Sequence, residues 1–135
     1  MSFFKDLLAT PAERSLSSKY AEMNGFLYLA LGGVLIVWPG AVQTIFRDAP
    51  FVGHEGALMR VVGLTIAVIG WLYVFGGRSG ARQIGPASVL DRLILVPLVL
   101  VPLVLAGVFP HALGMFAVLD PALGIGAWVL HRREA

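Results

Sequence analysis

VLDRLILVPLVLVPLVLAGVFPHALGMFAVLDPALGIGAWVL, residues 89–130, decides the fold. Its only acidic or basic side chains, histidine aside, are Asp91, Arg92 and Asp120. A helix needs about 20 mostly apolar residues to cross a bilayer. This stretch holds two such runs, 89–109 and 111–130, with only Pro110 clearly dividing them. So short a connection forces the two helices to run antiparallel, and the stretch predicts a transmembrane hairpin. Pro97 and Pro102 lie inside the first run. Each would cost about 3 kcal/mol in a soluble helix, but in membranes neighbouring groups re-satisfy the freed carbonyls. A bend is expected there.

Two further spans precede the hairpin, at about residues 20–38 and 57–75. The strictly apolar part of the first, 25–38, is short for a bilayer, and Pro39-Gly40 ends it. Val42, Ile45, Phe46 and Ala49 share a helical face, which predicts a short helix resting in the outer interface. Residues 47–56 read as a loop, as do 76–86, which are glycine-rich and carry Arg78 and Arg82. Near the N-terminus Phe3, Phe4, Leu7 and Leu8 fall on one face, with Lys5 and Asp6 off it, as in an interfacial helix. Thr10-Pro11-Ala12-Glu13 reads as a helix start. The expected fold is an all-α membrane protein, a four-transmembrane-helix bundle with a short N-terminal interfacial helix. It forms one domain over residues 1–135, with a surface segment at 1–19 and the bundle at 20–131.

Composition agrees. Apolar residues make up 58% of the chain and charged residues 13%, against about 25% charged in a soluble domain. A soluble chain of 135 residues cannot hide that much apolar surface. There is no cysteine, hence no disulfide framework and no thiolate metal site. The net charge of +2 is small and its basic residues do not gather in one block, which argues against nucleic acid as a partner. Residues 1–9 show no basic-then-apolar order, so no removable signal peptide is expected.

Basic residues set the expected orientation. Lys5, Arg14 and Lys19 precede the first span, Arg78 and Arg82 join the second to the third, and Arg132 and Arg133 follow the fourth. The other side has only Arg47 outside a span. Lys and Arg in short loops stay cytoplasmic, so both termini are expected in the cytoplasm. Small residues predict the packing faces: Gly25, Gly32 and Gly33 on the first span, Gly63, Ala67 and Gly70 on the second, Ala117, Gly124 and Ala127 on the fourth.

Asp120 is the most informative single residue. It sits mid-span, where an aspartate costs about 2.5–3.5 kcal/mol on insertion scales, and it shares a face with Ala117, Gly124 and Ala127. It is expected to point inward, either as a structural partner, as the cap of a half-helix begun by Pro121, or as a functional group. Arg60 or Arg92 could pair with it, each within a long side chain's reach in depth. Both arginines could instead snorkel to headgroups. Ser88-Val89-Leu90-Asp91 reads as a capping box, making Asp91 a helix-start residue. His54, Glu55 and His111 fall on the outer side and are weak candidates for a metal site, since their spacing matches no ligand motif. Trp38, Trp71, Tyr73 and Trp128 lie near span ends, as in an aromatic belt. Gly76-Gly77-Arg78-Ser79-Gly80 lacks the lysine and strand of a phosphate loop and reads as a linker.

Several short stretches together resemble the BphX-like family of small bacterial membrane proteins. They are Arg60-Val61-Val62-Gly63 with Gly70-Trp71-Leu72-Tyr73, Leu90-Asp91-Arg92 with Val96-Pro97, and Phe116-Ala117-Val118-Leu119-Asp120-Pro121. The likeness covers most of the chain after residue 20. It implies a bacterial cytoplasmic membrane and an accessory role near aromatic-compound metabolism. It carries no settled reaction, so no catalytic residue is transferred.

The leading expectation is a non-enzymatic accessory or binding bundle that holds a lipid-like or hydrophobic small molecule or docks on a membrane-protein partner. Membrane lipids surround it, a homo-oligomer is compatible with it, and no cofactor is called for. The alternative is a membrane enzyme or proton-coupled carrier using Asp120 with Arg60 or Arg92.

Overall fold

The computed structural model describes residues 3–135 and is all-helical. Met1 and Ser2, which open the expected N-terminal segment, lie outside the described residues. The elements are α1 (Phe3–Leu8), α2 (Leu16–Val37), α3 (Ala41–Thr44), α4 (Glu55–Ser79), α5 (Ile84–Leu90), a π-helical turn (Asp91–Leu95), α6 (Val96–Leu105) and α7 (Pro110–Glu134). The stretch from α5 through the π turn to α6 is one continuous helix, Ile84–Leu105. It joins α2, α4 and α7 as four helices long and apolar enough to cross a membrane. This is the architecture of a multi-pass membrane protein, a four-helix bundle.

The first span is longer than its apolar core implies. Ser15 caps α2 by accepting from the Ser18 amide at 3.0 Å, and the polar residues 17–24 continue the helix. Its 22 residues reach about 33 Å at 1.5 Å per residue, enough for a bilayer core. The helix start expected at Thr10–Glu13 does not form, because the serine four residues before Lys19 supplies the cap instead. The expected loop at 76–86 shrinks to residues 80–83, since α4 runs on to Ser79 and α5 begins at Ile84. Gly80, at φ 69°, terminates α4 in the left-handed conformation. Between α6 and α7, Gly107 at φ 79° closes a Schellman turn. The Gly107 amide donates to Val104 O and the Val108 amide to Leu103 O, both at 3.0 Å. Pro110 then starts α7 at a position where its missing N–H is harmless.

Two antiparallel pairs make the bundle. α2 packs along α4, and the Ile84–Leu105 helix packs along α7; α2 lies against α7 to join them. Ser17 N donates to Glu134 Oε1 at 3.1 Å, so the start of α2 and the end of α7 share one end, here the terminal end. Ser18, Ala21, Gly25, Tyr28, Gly32 and Leu35 are the buried heptad stripe of α2, joined by Asn24. Gly63, Gly70 and Gly77 repeat every seven residues on α4. A methyl group on Gly32 would sit 2.5 Å from both Ala67 N and Gly63 O, and one on Gly70 would sit 2.6 Å from Leu29 N. The helices therefore meet backbone to backbone, as membrane helices with small-residue faces do. Gly33, expected on this stripe, points into open space instead, since one residue moves a side chain about 100° around a helix.

The segment expected to rest in the outer interface forms the short α3 and buries its first residues, while Ile45 and Ala49 stay exposed. Val42 is fully buried and Ala41 nearly so, in a cluster with Leu35, Met59, Ala112 and Phe116. It plugs the end of the bundle away from the termini. No residue of α6 is buried, and Leu98 and Leu105 are among its most exposed, so this half-helix has one neighbour, α7, and otherwise faces outward.

Candidate functional site

Asn24, Tyr28, Tyr73 and Arg92 are buried in the half of the bundle nearer the termini, while buried Asp48 lies at the other end. The π turn positions Arg92. Pro97 has no N–H and its ring would crowd the carbonyl four residues earlier. The chain responds by widening one turn, with the Val96 amide donating to Asp91 O, five residues back. That turn carries Asp91 and Arg92. The capping-box reading of Ser88–Asp91 does not hold: Ser88 is buried inside α5 and its hydroxyl donates to Gly85 O at 2.8 Å. The helix had already begun at Ile84, so the serine meets no free amides and Asp91 starts nothing.

Arg92 is 1% exposed. Its Cζ lies 4.6 Å from the Tyr73 ring centroid and 5.2 Å from that of Tyr28, and the two rings stack edge to face at 5.9 Å. Such cation–π contacts are worth about 2 kcal/mol or more when desolvated. Tyr73 donates its hydroxyl to Asp91 Oδ2 at 3.2 Å. Tyr73 is thus buried in the bundle, not part of an interfacial belt, whereas Trp38, Trp71 and Trp128 are exposed on the outside. Asn24 lies one turn before Tyr28 on α2 and is 2% exposed. Arg92 Nε and Nη2, Asn24 Nδ2 and the Tyr28 hydroxyl are buried without a hydrogen-bond partner. An unmet buried donor costs about 1–3 kcal/mol, more when charged. Sequence reading missed Asn24 and Tyr28. The signal was present, a polar pair four residues apart on the same stripe as Gly25 and Gly32.

Asp120 is buried in α7. Its helix runs unbroken through Pro121, so Asp120 caps no half-helix. Among the described residues the ion pairs are Arg14–Glu22, Arg78–Glu22 and His111–Asp48, and none includes Asp120. Arg60 is exposed and donates to Ile36 O, in the last turn of α2, where a cation suits the helix C-terminus. Arg92 passes α7 one turn away at Gly124, where a methyl group would lie 3.0 Å from Arg92 Cβ. Its guanidinium turns toward the tyrosines. Neither arginine pairs with Asp120.

The outer candidates have separate duties. His54 precedes α4 without a side-chain cap bond, and Glu55 Oε2 accepts from the Val52 amide at 2.8 Å. His111 goes to a residue that sequence reading did not single out. Asp48, with a fully buried side chain, accepts from the His111 amide at 3.0 Å and the Ala112 amide at 2.8 Å. His111 Nδ1 lies 2.8 Å from its Oδ1. Asp48 is therefore a distant N-cap for α7, invisible in sequence because 63 residues separate it from His111. Among the described residues no three His, Asp or Glu side chains come together as a metal site.

Among the described residues a cavity opens toward each end of the bundle. One of about 660 Å³ opens at the terminal end among Arg14, Ser17, Arg82, His131, Glu13 and Glu134, with charges of both signs. The other, about 260 Å³, is apolar throughout and sits between α2, α3, α4 and α7. Leu31, Val34, Val62, Met115 and Phe116 are among its walls. Leu31 is three residues along α2 from Tyr28, and Phe116 is four from Asp120 along α7. The apolar cavity thus lies about one turn along α2 from Tyr28 and about one turn along α7 from Asp120. No family model, no curated protein and no solved structure matches the chain.

Proposed function

We propose that the chain is a non-enzymatic, multi-pass binding bundle of a bacterial cytoplasmic membrane, with both termini in the cytoplasm, that holds a single-chain, lipid-like molecule in its interior. The apolar cavity of about 260 Å³ carries this reading. It is somewhat below the range of about 300–1,000 Å³ of drug-sized ligand pockets, a size suited to one slender chain. Exposed Val34, Ile45 and Val62 stand among its lining residues, so a chain can enter sideways from lipid. The orientation rests on the distribution of basic residues, and the interfacial role of α1 on its exposed Phe3, Phe4 and Leu8. The likeness to BphX-like proteins adds an accessory role near aromatic-compound metabolism.

Native mass measurement in mild detergent, followed by extraction and identification of what accompanies the protein, tests this. A discrete bound mass is expected for the wild type and its loss for Val34→Trp, which fills the cavity from its rim. A wild type with no bound mass, or a variant that keeps it, would contradict the proposal.

Asp120 favours a second reading, a proton-coupled carrier or membrane enzyme. A buried carboxyl with no ion pair in the middle of a span is a group that could exchange a proton. Proton uptake by reconstituted vesicles that disappears in Asp120→Asn would support it.

A further inference from the structure

The polar cluster around Arg92 points to the chemistry of the ligand's head. We infer that Arg92, Asn24 and Tyr28 form a binding site for an oxygen acceptor, a carboxylate or carbonyl, at the head of an apolar chain whose tail occupies the cavity one turn away. The inference rests on the binding reading above and deepens it. The unpartnered atoms are Arg92 Nε and Nη2, Asn24 Nδ2 and the Tyr28 hydroxyl. All of them can donate, and all but the hydroxyl can only donate. Their side chains are at least nine-tenths buried. Neither carboxyl of the region bonds to these atoms. Tyr73 holds Asp91, and Asp120 stands in no ion pair. A guanidinium presents a planar fork matched to an oxygen-bearing head, and the two tyrosine rings hold it in place.

Head and tail are then placed by chain geometry alone. Tyr28 and Leu31 lie about 4.5 Å apart along α2. Phe116 lies about 12 Å along α7 from Gly124, the residue that Arg92 packs against. None of the three donors lines the apolar cavity, so an extended chain with its head at Arg92 reaches it by parting the side chains between Tyr28 and Leu31.

The test compares four probes of one chain length on the purified full-length protein in mild detergent: oleate, methyl oleate, oleylamine and 1-octadecene. Oleate is expected to bind more tightly than 1-octadecene, which has the tail without an acceptor, and oleylamine more weakly than oleate. Arg92→Gln should weaken oleate about tenfold or more, the effect of losing a hydrogen bond to a charged group, and leave 1-octadecene unchanged. Tyr28→Phe and Asn24→Ala should weaken oleate several-fold by the same reasoning; they keep the arginine and test the site should Arg92→Gln not fold. Methyl oleate matching oleate would assign a carbonyl head, and methyl oleate falling to the level of 1-octadecene a carboxylate. Equal binding of oleate and 1-octadecene, or variants that lower both alike, would overturn the inference while leaving the cavity reading standing. Failure of every probe, 1-octadecene included, would overturn both.

Discussion

Adding a single methyl group at the α2–α4 contact should distinguish this packing from any looser bundle. Gly70→Ala places a carbon 2.6 Å from Leu29 N and 2.7 Å from Gly25 O, where ordinary contact begins near 3.4 Å. The helices would have to part by 3.4 − 2.6 = 0.8 Å at that point. Both obstructing atoms are backbone, so no rotamer change relieves them. Overpacking of this kind costs about 1–3 kcal/mol, and it outweighs the roughly 1 kcal/mol by which alanine improves on glycine within a helix. Gly70→Ala is expected to lower thermal stability in mild detergent, and Gly70→Leu to lower it further. Gly33→Ala is the internal control. Its methyl meets nothing within 4 Å, so only the helix propensity acts and stability should hold or rise. Equal effects of Gly70→Ala and Gly33→Ala would refute the backbone-to-backbone contact.

Asp120→Asn should change stability by less than about 1 kcal/mol, because no arginine is left uncompensated; a loss of about 3–5 kcal/mol, the cost of breaking a buried pair, would mean that Asp120 has a charged partner. Asp48→Ala should destabilise by about 2 kcal/mol, since it strips an N-cap and strands two amides at the start of α7; chemical denaturation in detergent micelles reads this directly, and an unchanged midpoint would refute the capping role. Reporter fusions after residues 80 and 135 should read cytoplasmic and one near residue 53 external; a cytoplasmic signal at residue 53 would invert the proposed topology.

Four spans, their antiparallel order and most of the packing stripe were legible in sequence, because each follows from local composition or from helical periodicity. Arg92 and Asp120 stood out for the cost of placing charge in an apolar run. What escaped depended on contacts between distant segments. Asp48 looks like a loop aspartate until α7 is brought beside it. Tyr73 looks like an interfacial aromatic until the π turn turns Asp91 and Arg92 toward it. The π turn lies just before Pro97, but Pro102 and Pro121 sit in helices without one, so a proline announces only that the helix must yield, not in which way. The same limit applied to Ser88 and Asp91, whose capping-box spacing is meaningful only if a helix begins there.

A lipid-like chain that enters the interior can be told from one that merely coats the outside. A fatty acid carrying a photoactivatable diazirine near its methyl end, crosslinked to the protein in membranes and mapped by mass spectrometry, separates the two most directly. Adducts are expected on Leu31, Val34, Met115 and Phe116, which line the cavity, and Val34→Trp should suppress them. Adducts confined to the exposed face of α6, on Leu98 and Leu105, would contradict entry into the interior.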